Sequence, residues 1–189
     1  MKRLMALAAL ALALAACGSD DDKSDSTPAT PLPATTTPGS PVIAVTAADY
    51  SFAGLPATAK AGSTFTLTNA SDKEVHEMVM LRIPDGVTES VAELLAMPEE
   101  ELDAKVGEVE PSTVVVALPG QPGRPVVGDG TVLEPGRYAV VCFIPVGADP
   151  KLVEAAMSAP PGTGEPEQPN LGDGPPHFTK GMSAEITLE

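Results

Sequence analysis

Prolines recur along this chain from Pro28 to Pro176, and with the glycines they make up about a fifth of it: 21 Pro and 17 Gly in 189 residues. Proline fixes φ and carries no N–H, so each one inside a helix removes a hydrogen bond and sets up a steric clash. A bundle of long helices is therefore ruled out, and short strands, turns and long loops are favoured. There is no Trp, with two Tyr and four Phe. The core has to be built from Val, Leu, Ile, Ala and Met.

The first forty residues read as an address. Lys2 and Arg3 precede an unbroken apolar run of 13 residues, Leu4 to Ala16, too short to span a bilayer as a mature helix. Leu14-Ala15-Ala16-Cys17 resembles a bacterial lipobox. The resemblance implies a signal peptide over residues 1–16 and lipidation of Cys17, with a diacylglyceryl thioether and fatty acyl chains such as palmitate. The expected location is extracytoplasmic, anchored to the bacterial cell membrane. Residues 17–41 hold the lipidated Cys, four Asp, Ser, Thr and five Pro. They contain almost nothing that could build a core, so they read as a disordered tether. The globular domain is expected over 42–189.

The formal charge is −15. Cleavage before Cys17 would take away Lys2 and Arg3 and leave the mature chain more acidic still. Such a surface repels nucleic acid and favours a basic protein partner. The catalytic inventory is short. Two His are too few for a trinuclear copper cluster. There is no P-loop, no Gly-x-Ser-x-Gly and no Gly-x-Gly-x-x-Gly. With Cys17 taken by lipid, Cys142 is left as an odd cysteine in an exported protein. A buried thiol, an intermolecular disulfide and a metal ligand all remain open for it.

Within 42–189 the pattern predicts strands at Val42–Val45, Tyr50–Phe52, Thr64–Thr68, Glu74–Ile83, Arg137–Ile144 and Met182–Leu188. Two stretches depart from that rhythm. Residues 88–107 read as a short helical excursion, with Ser90 and Glu93 as a capping box and Pro98 opening a second helix. Residues 145–176 hold eight Pro and five Gly and form an unusually long loop, with a turn or two of helix from Lys151 to Ala159.

Every histidine and the odd cysteine fall into one arrangement. His76 opens a strand. Cys142 lies near the end of an apolar strand. His177-Phe178-Thr179-Lys180-Gly181-Met182 is His-x4-Met just before the last strand. One thiolate and two imidazoles in a plane, with a weak axial thioether, form a trigonal site that suits copper in both oxidation states.

Here the sequence resembles the cupredoxins, the plastocyanin and azurin family. The shared features are Asn69 in the turn before His76, the run Gly136, Tyr138, Cys142, and then His177 and Met182 before a closing strand. The resemblance implies an all-β, cupredoxin-like, antiparallel Greek-key β-sandwich. It implies one type 1 copper on His76, Cys142, His177 and Met182, passing single electrons between redox partners without enzymatic turnover. A monomer is expected. Copper capture and delivery, or a metal-free binding module, are the alternative roles. Two features depart from the family pattern. Glu77 stands where Asn is common, and 34 residues separate Cys142 from His177. The excess, 145–176, is expected to leave and return at one place and to lie as a lid near the ligands. Leu152, Val153, Ala156 and Met157 would be its apolar face.

Overall fold

Alternating burial organises the two sheets. The computed structural model describes residues 40–158 and 171–189. Residues 1–16, read above as a signal peptide, Cys17, nearly all of the segment read as a tether and the middle of the 145–176 loop lie outside the described residues. In β4 (Ser63–Asn69), Ser63, Phe65, Leu67 and Asn69 are buried and Thr66 and Thr68 are exposed. That period of two is what a strand with one face on a core must show.

Four strands form one layer in the order β2 (Ser51–Ala53), β1 (Val42–Ala48), β4, β8 (Thr131–Val132). Six form the other: β3 (Thr58–Ala59), β10 (Ser183–Leu188), β9 (Gly136–Val141), β5 (His76–Arg82), β6 (Pro111–Ala117) and β7 (Arg124–Val127). The inner faces meet in one core that includes Phe65, Leu67, Met78, Met80, Val115, Tyr138, Val140 and Ile186. The Tyr138 hydroxyl is kept satisfied in that core by donating to the Glu134 carbonyl at 2.9 Å.

The all-β sandwich agrees with the sequence reading, and most neighbours are antiparallel. Two pairs are parallel: β1 with β4, and β3 with β10. After β2 the chain crosses to the second layer to add β3 and then returns beside β1, so β4 runs in the same sense as β1. β6, which lies between β5 and the edge strand β7, is a strand the sequence pattern does not predict. Its run Val114-Val115-Val116-Ala117 is buried throughout and so shows no alternation.

The helical excursion forms α1 (Val91–Leu95) and α2 (Glu99–Val106), and the Ser90–Glu93 capping box is present. Val91 and Leu94 pack with Ile83, Ala139 and Val141 on the outer face of the larger sheet. Arg137 ties the excursion down. Its guanidinium donates to the carbonyls of Val87 and Glu89 and to the Glu185 carboxylate, all within 2.8 Å.

Asn69 sets the approach to His76. Its amide donates to the Glu74 carbonyl at 2.8 Å and to the Ala117 carbonyl at 3.0 Å, and its Oδ1 accepts from the Ser71 N–H at 2.9 Å. Ala117 is the register partner of His76. One buried side chain thus joins the end of β4, the following turn and the strand pair that carries the histidine. Asn69→Ala would leave two carbonyls and an N–H without partners. We expect a stability loss of about 2–4 kcal/mol in urea unfolding. A loss below about 0.5 kcal/mol would contradict this role.

Candidate metal centre

Three separate pieces of chain bring the donors together. His76 is the first residue of β5 and shares its inward face with Met78 and Met80, all fully buried. Cys142 follows directly on β9, whose ladder stops at Val141 rather than running on to Ile144. His177 opens a single 3₁₀ turn, His177–Lys180. That turn is closed by Gly181 at φ 101°, a left-handed conformation that glycine adopts at no steric cost.

Backbone bonds lock the second and third pieces to each other. The Cys142 N–H donates to the Met182 carbonyl, the Phe178 N–H to the Cys142 carbonyl, and the Met182 N–H to the His177 carbonyl, at 3.0–3.2 Å. The long loop closes at its neck. The His177 N–H donates to the Ile144 carbonyl at 2.9 Å, Pro145 bridges Pro176, and the Val146 N–H donates to the Pro175 carbonyl at 3.0 Å. The chain therefore leaves after Ile144 and returns at His177 on adjacent backbone. The many residues between Cys142 and His177 in sequence add no distance between the two side chains.

The donor atoms converge. His76 Nδ1 and His177 Nδ1 are 3.1 Å apart, and Cys142 Sγ is 3.4 Å from His177 Nδ1. One donor atom from each of the three residues lies within 4.8 Å of every other. Metal–nitrogen bonds of about 2 Å at open angles place two nitrogens about 3.1–3.5 Å apart, so the spacing suits a shared ion. His76, Cys142, His177 and Met182 are each 0% exposed.

The outer ring nitrogens carry a second signal. Neither Nε2 is hydrogen-bonded among the described residues. His177 Nε2 has Glu74 Oε2 at 3.3 Å, but not in hydrogen-bond alignment, and His76 Nε2 has Asp49 Oδ1 at 3.9 Å. Two buried imidazoles facing each other through Nδ1 with unsatisfied outer nitrogens would be a costly core. A metal ion shared by the two Nδ1 atoms would turn that facing pair into donors and leave each ring proton on Nε2, where Glu74 and Asp49 are the carboxylates at hand.

The thiol is prepared by its neighbours. The Glu77 N–H points at Cys142 Sγ from 3.4 Å. The Glu77 carboxylate accepts from the Phe143 N–H at 2.9 Å. Glu77 thus fastens the His76 strand to the Cys142 loop, which accounts for its place in this sequence. Tyr50 packs against His177. Its ring meets His177 edge-on with centroids 5.0 Å apart, and its backbone sits at φ 63°, the left-handed region. Asp49 and Tyr50 share the turn after β1 and Glu74 lies just before β5, and no spacing rule singles them out.

The described parts of the loop pack beside this pocket. α3 (Pro150–Ser158) puts Val153 into the main core, and Ala148, Met157 and Leu171 pack there too. Leu152 is half exposed and Ala156 is exposed, so the inward face is Val153 and Met157 rather than the four residues expected from the sequence. With only two helical turns, the sequence left the choice of face open. Pro150, Glu154 and Met157 line a cleft of about 720 Å³ with Asp72, Lys73 and the Leu118–Arg124 hairpin.

Burial governs the protonation of the metal-free site. It pulls the His76 imidazole down to about 4, helped by the neighbouring His177 ring, and it also lowers His177. Burial pushes the Cys142 thiol up to about 12. For His76 the unfolded chain takes up a proton near 6.5 and the folded chain only near 4. Stability from this group is therefore complete above pH 6.5 and is lost as pH falls toward 4. For the thiol the raised value gives stability that is complete below pH 9 and lost as pH rises beyond it. Urea unfolding of the metal-free protein should show a plateau between these limits. The acid-side loss from His76 alone is on the order of 2–4 kcal/mol. A flat profile from pH 7 to pH 4 would contradict the burial argument.

The two-layered β-sandwich and the buried His76–Cys142–His177 cluster are what the cupredoxin resemblance implies. No protein-family model matches the chain, and no curated protein matches it. Among solved structures it is similar to dithionite-reduced auracyanin from the photosynthetic bacterium Roseiflexus castenholzii. That match has 17% identity and a TM-score of 0.38, over 80% of this chain and 98% of that one. It is also similar to auracyanin A, a "blue" copper protein from Chloroflexus aurantiacus, at 16% identity and a TM-score of 0.37, over 58% of this chain and 91% of that one. A multi-copper oxidase from Pediococcus acidilactici matches at 13% identity and a TM-score of 0.36, and this chain spans 31% of it. Likenesses this distant carry no residue roles, which rest here on the geometry of the pocket.

Proposed function

We propose that this chain is a type 1 copper protein that transfers single electrons and turns over no substrate. The observation that carries this reading is the convergence of His76 Nδ1, His177 Nδ1 and Cys142 Sγ in a fully buried pocket. Soft thiolate with two imidazoles is a donor set that suits copper. Met182, buried and bonded through its backbone to both Cys142 and His177, would be the fourth ligand and supply a weak thioether. Copper held there supplies a one-electron couple. The residues around it exclude water and hold the donors nearly fixed, so little has to move when the charge changes. His76 is held by the β5–β6 ladder and Asn69, Cys142 by Glu77 and Met182, and His177 by the 3₁₀ turn and the loop neck.

We further propose that Cys17 carries the lipid, that residues 17–41 tether the domain outside the cytoplasm, and that the domain works as a monomer. Among the described residues no helix is long and apolar enough to cross a membrane. The test of redox function is cycling. Ascorbate should bleach the Cu(II) protein and ferricyanide restore its colour over repeated cycles with no copper lost. Release of copper to a chelator on each reduction would favour capture and delivery instead.

The acidic chain suits a basic redox partner. Electron exchange with a cationic redox protein should slow at least tenfold between low and physiological ionic strength, as charge steering is screened. A rate indifferent to salt would refute that choice of partner.

A further inference from the structure

We infer that Glu74 is a positioning residue for His177: its carboxylate receives the Nε2–H of the metal-bound imidazole, fixes the ring and favours the oxidised ion. This inference rests on the copper reading above.

Ring chemistry and geometry carry it together. A neutral imidazole has one ring proton. If Nδ1 gives its lone pair to a metal, that proton is on Nε2, and the buried Nε2–H needs an acceptor. Glu74 Oε2, at 3.3 Å, is the carboxylate oxygen within reach of it among the described residues. A small rotation of the ring or carboxylate converts that approach into a hydrogen bond. His76 has no equivalent, because its nearest carboxylate, Asp49, is 3.9 Å away on a largely exposed side chain.

Glu74 is also held in place on every side. Its N–H donates to Ser71 Oγ at 3.0 Å, and its carbonyl accepts from the Asn69 amide. Its Oε2 accepts from the Gly147 N–H at 2.9 Å, so the same oxygen that faces His177 is fastened to the first turn of the long loop. The side chain is only 16% exposed, so its charge is weakly screened. A fixed negative charge on the far side of a ligand ring stabilises the dication more than the monocation. It therefore holds the reduction potential down. Carboxylates that orient metal-bound histidines in this way change affinity by about 10–100-fold.

The test is potentiometry of the full copper-loaded chain in detergent, for wild type, Glu74→Gln, Glu74→Asp and a nearby exposed control, Asp72→Asn. Glu74→Gln should keep the charge-transfer colour and shift the Cu(II)/Cu(I) preference at least tenfold toward Cu(I). That is a rise of about 59 mV for a one-electron couple. Glu74→Asp should recover part of the shift, and Asp72→Asn should leave the potential unchanged. In the diamagnetic Cu(I) wild type, nitrogen–proton NMR should show His177 Nε2–H as a slowly exchanging, hydrogen-bonded signal. This second readout decides the matter if Glu74→Gln fails to hold copper. A coloured Glu74→Gln protein with an unmoved potential, a shift no larger than in Asp72→Asn, or a fast-exchanging His177 proton in the wild type would overturn the inference. A wild type with no colour would instead overturn the copper reading itself.

Discussion

Cys142→Ser should abolish the intense visible absorption of the Cu(II) protein and weaken copper binding by several orders of magnitude. The colour of a trigonal copper–thiolate site comes from charge transfer out of sulfur, and no other described cysteine can replace Cys142. Serine keeps the size of the side chain but offers a hard oxygen that stays protonated. Cys142 is buried among Val140, Ile144 and Met182, so the exchange costs little packing and the fold should persist. Met182→Leu should behave differently. It preserves apolar volume, leaves the three strong donors in place, and should shift the band and the potential without removing either. Circular dichroism and Cu(II) titration of both variants check this. Colour surviving in Cys142→Ser would remove sulfur from the account.

The second large effect concerns the loop. Replacing Val146–Pro175 by a short Gly-containing turn should preserve the pairing of Ile144 with His177, and with it the colour. It should not be neutral for the fold. Ala148 and Val153, each 3% exposed, are part of the main core, so their loss uncovers apolar surface. At about 1.5–3 kcal/mol for a buried aliphatic side chain, a destabilisation of about 2–5 kcal/mol is expected. The replacement also removes the Gly147 contact to Glu74 beside His177. Reaction with small chelators and external reductants should speed up at least tenfold. Unchanged access to both reagents would mean that the loop shields nothing. Complete loss of copper would mean that the ligand geometry depends on it.

What could be read from the sequence follows from where the physics is local. The alternation in Thr64–Thr68 fixes a strand because one face must be dry. Ser90 and Glu93 fix a helix start because their side chains close a box within one turn. The pocket was legible through residue type. With two histidines in the chain, both had to be weighed as ligands, and His177, Gly181 and Met182 share one turn whose geometry the spacing encodes. β6 was not legible, because a strand buried on both faces has no period. The parallel pairing of β1 with β4 was also hidden, since a crossover between layers leaves no mark on either strand. Asp49, Tyr50 and Glu74 meet the histidines from turns whose proximity exists only after both sheets have formed. Glu77 stood out only as a departure from the family pattern, yet its backbone and carboxylate join the strand of one ligand to the loop of another.

The most direct test of the central claim is titration of the metal-free protein with Cu(II), followed by visible absorption. If His76, Cys142 and His177 hold a single type 1 ion, an intense blue or green band grows linearly and stops at one equivalent of copper. It should be bleached by ascorbate and absent in Cys142→Ser. A colourless stoichiometric complex, or saturation with no intense band at any ratio, would contradict the assignment of this pocket as a type 1 copper site.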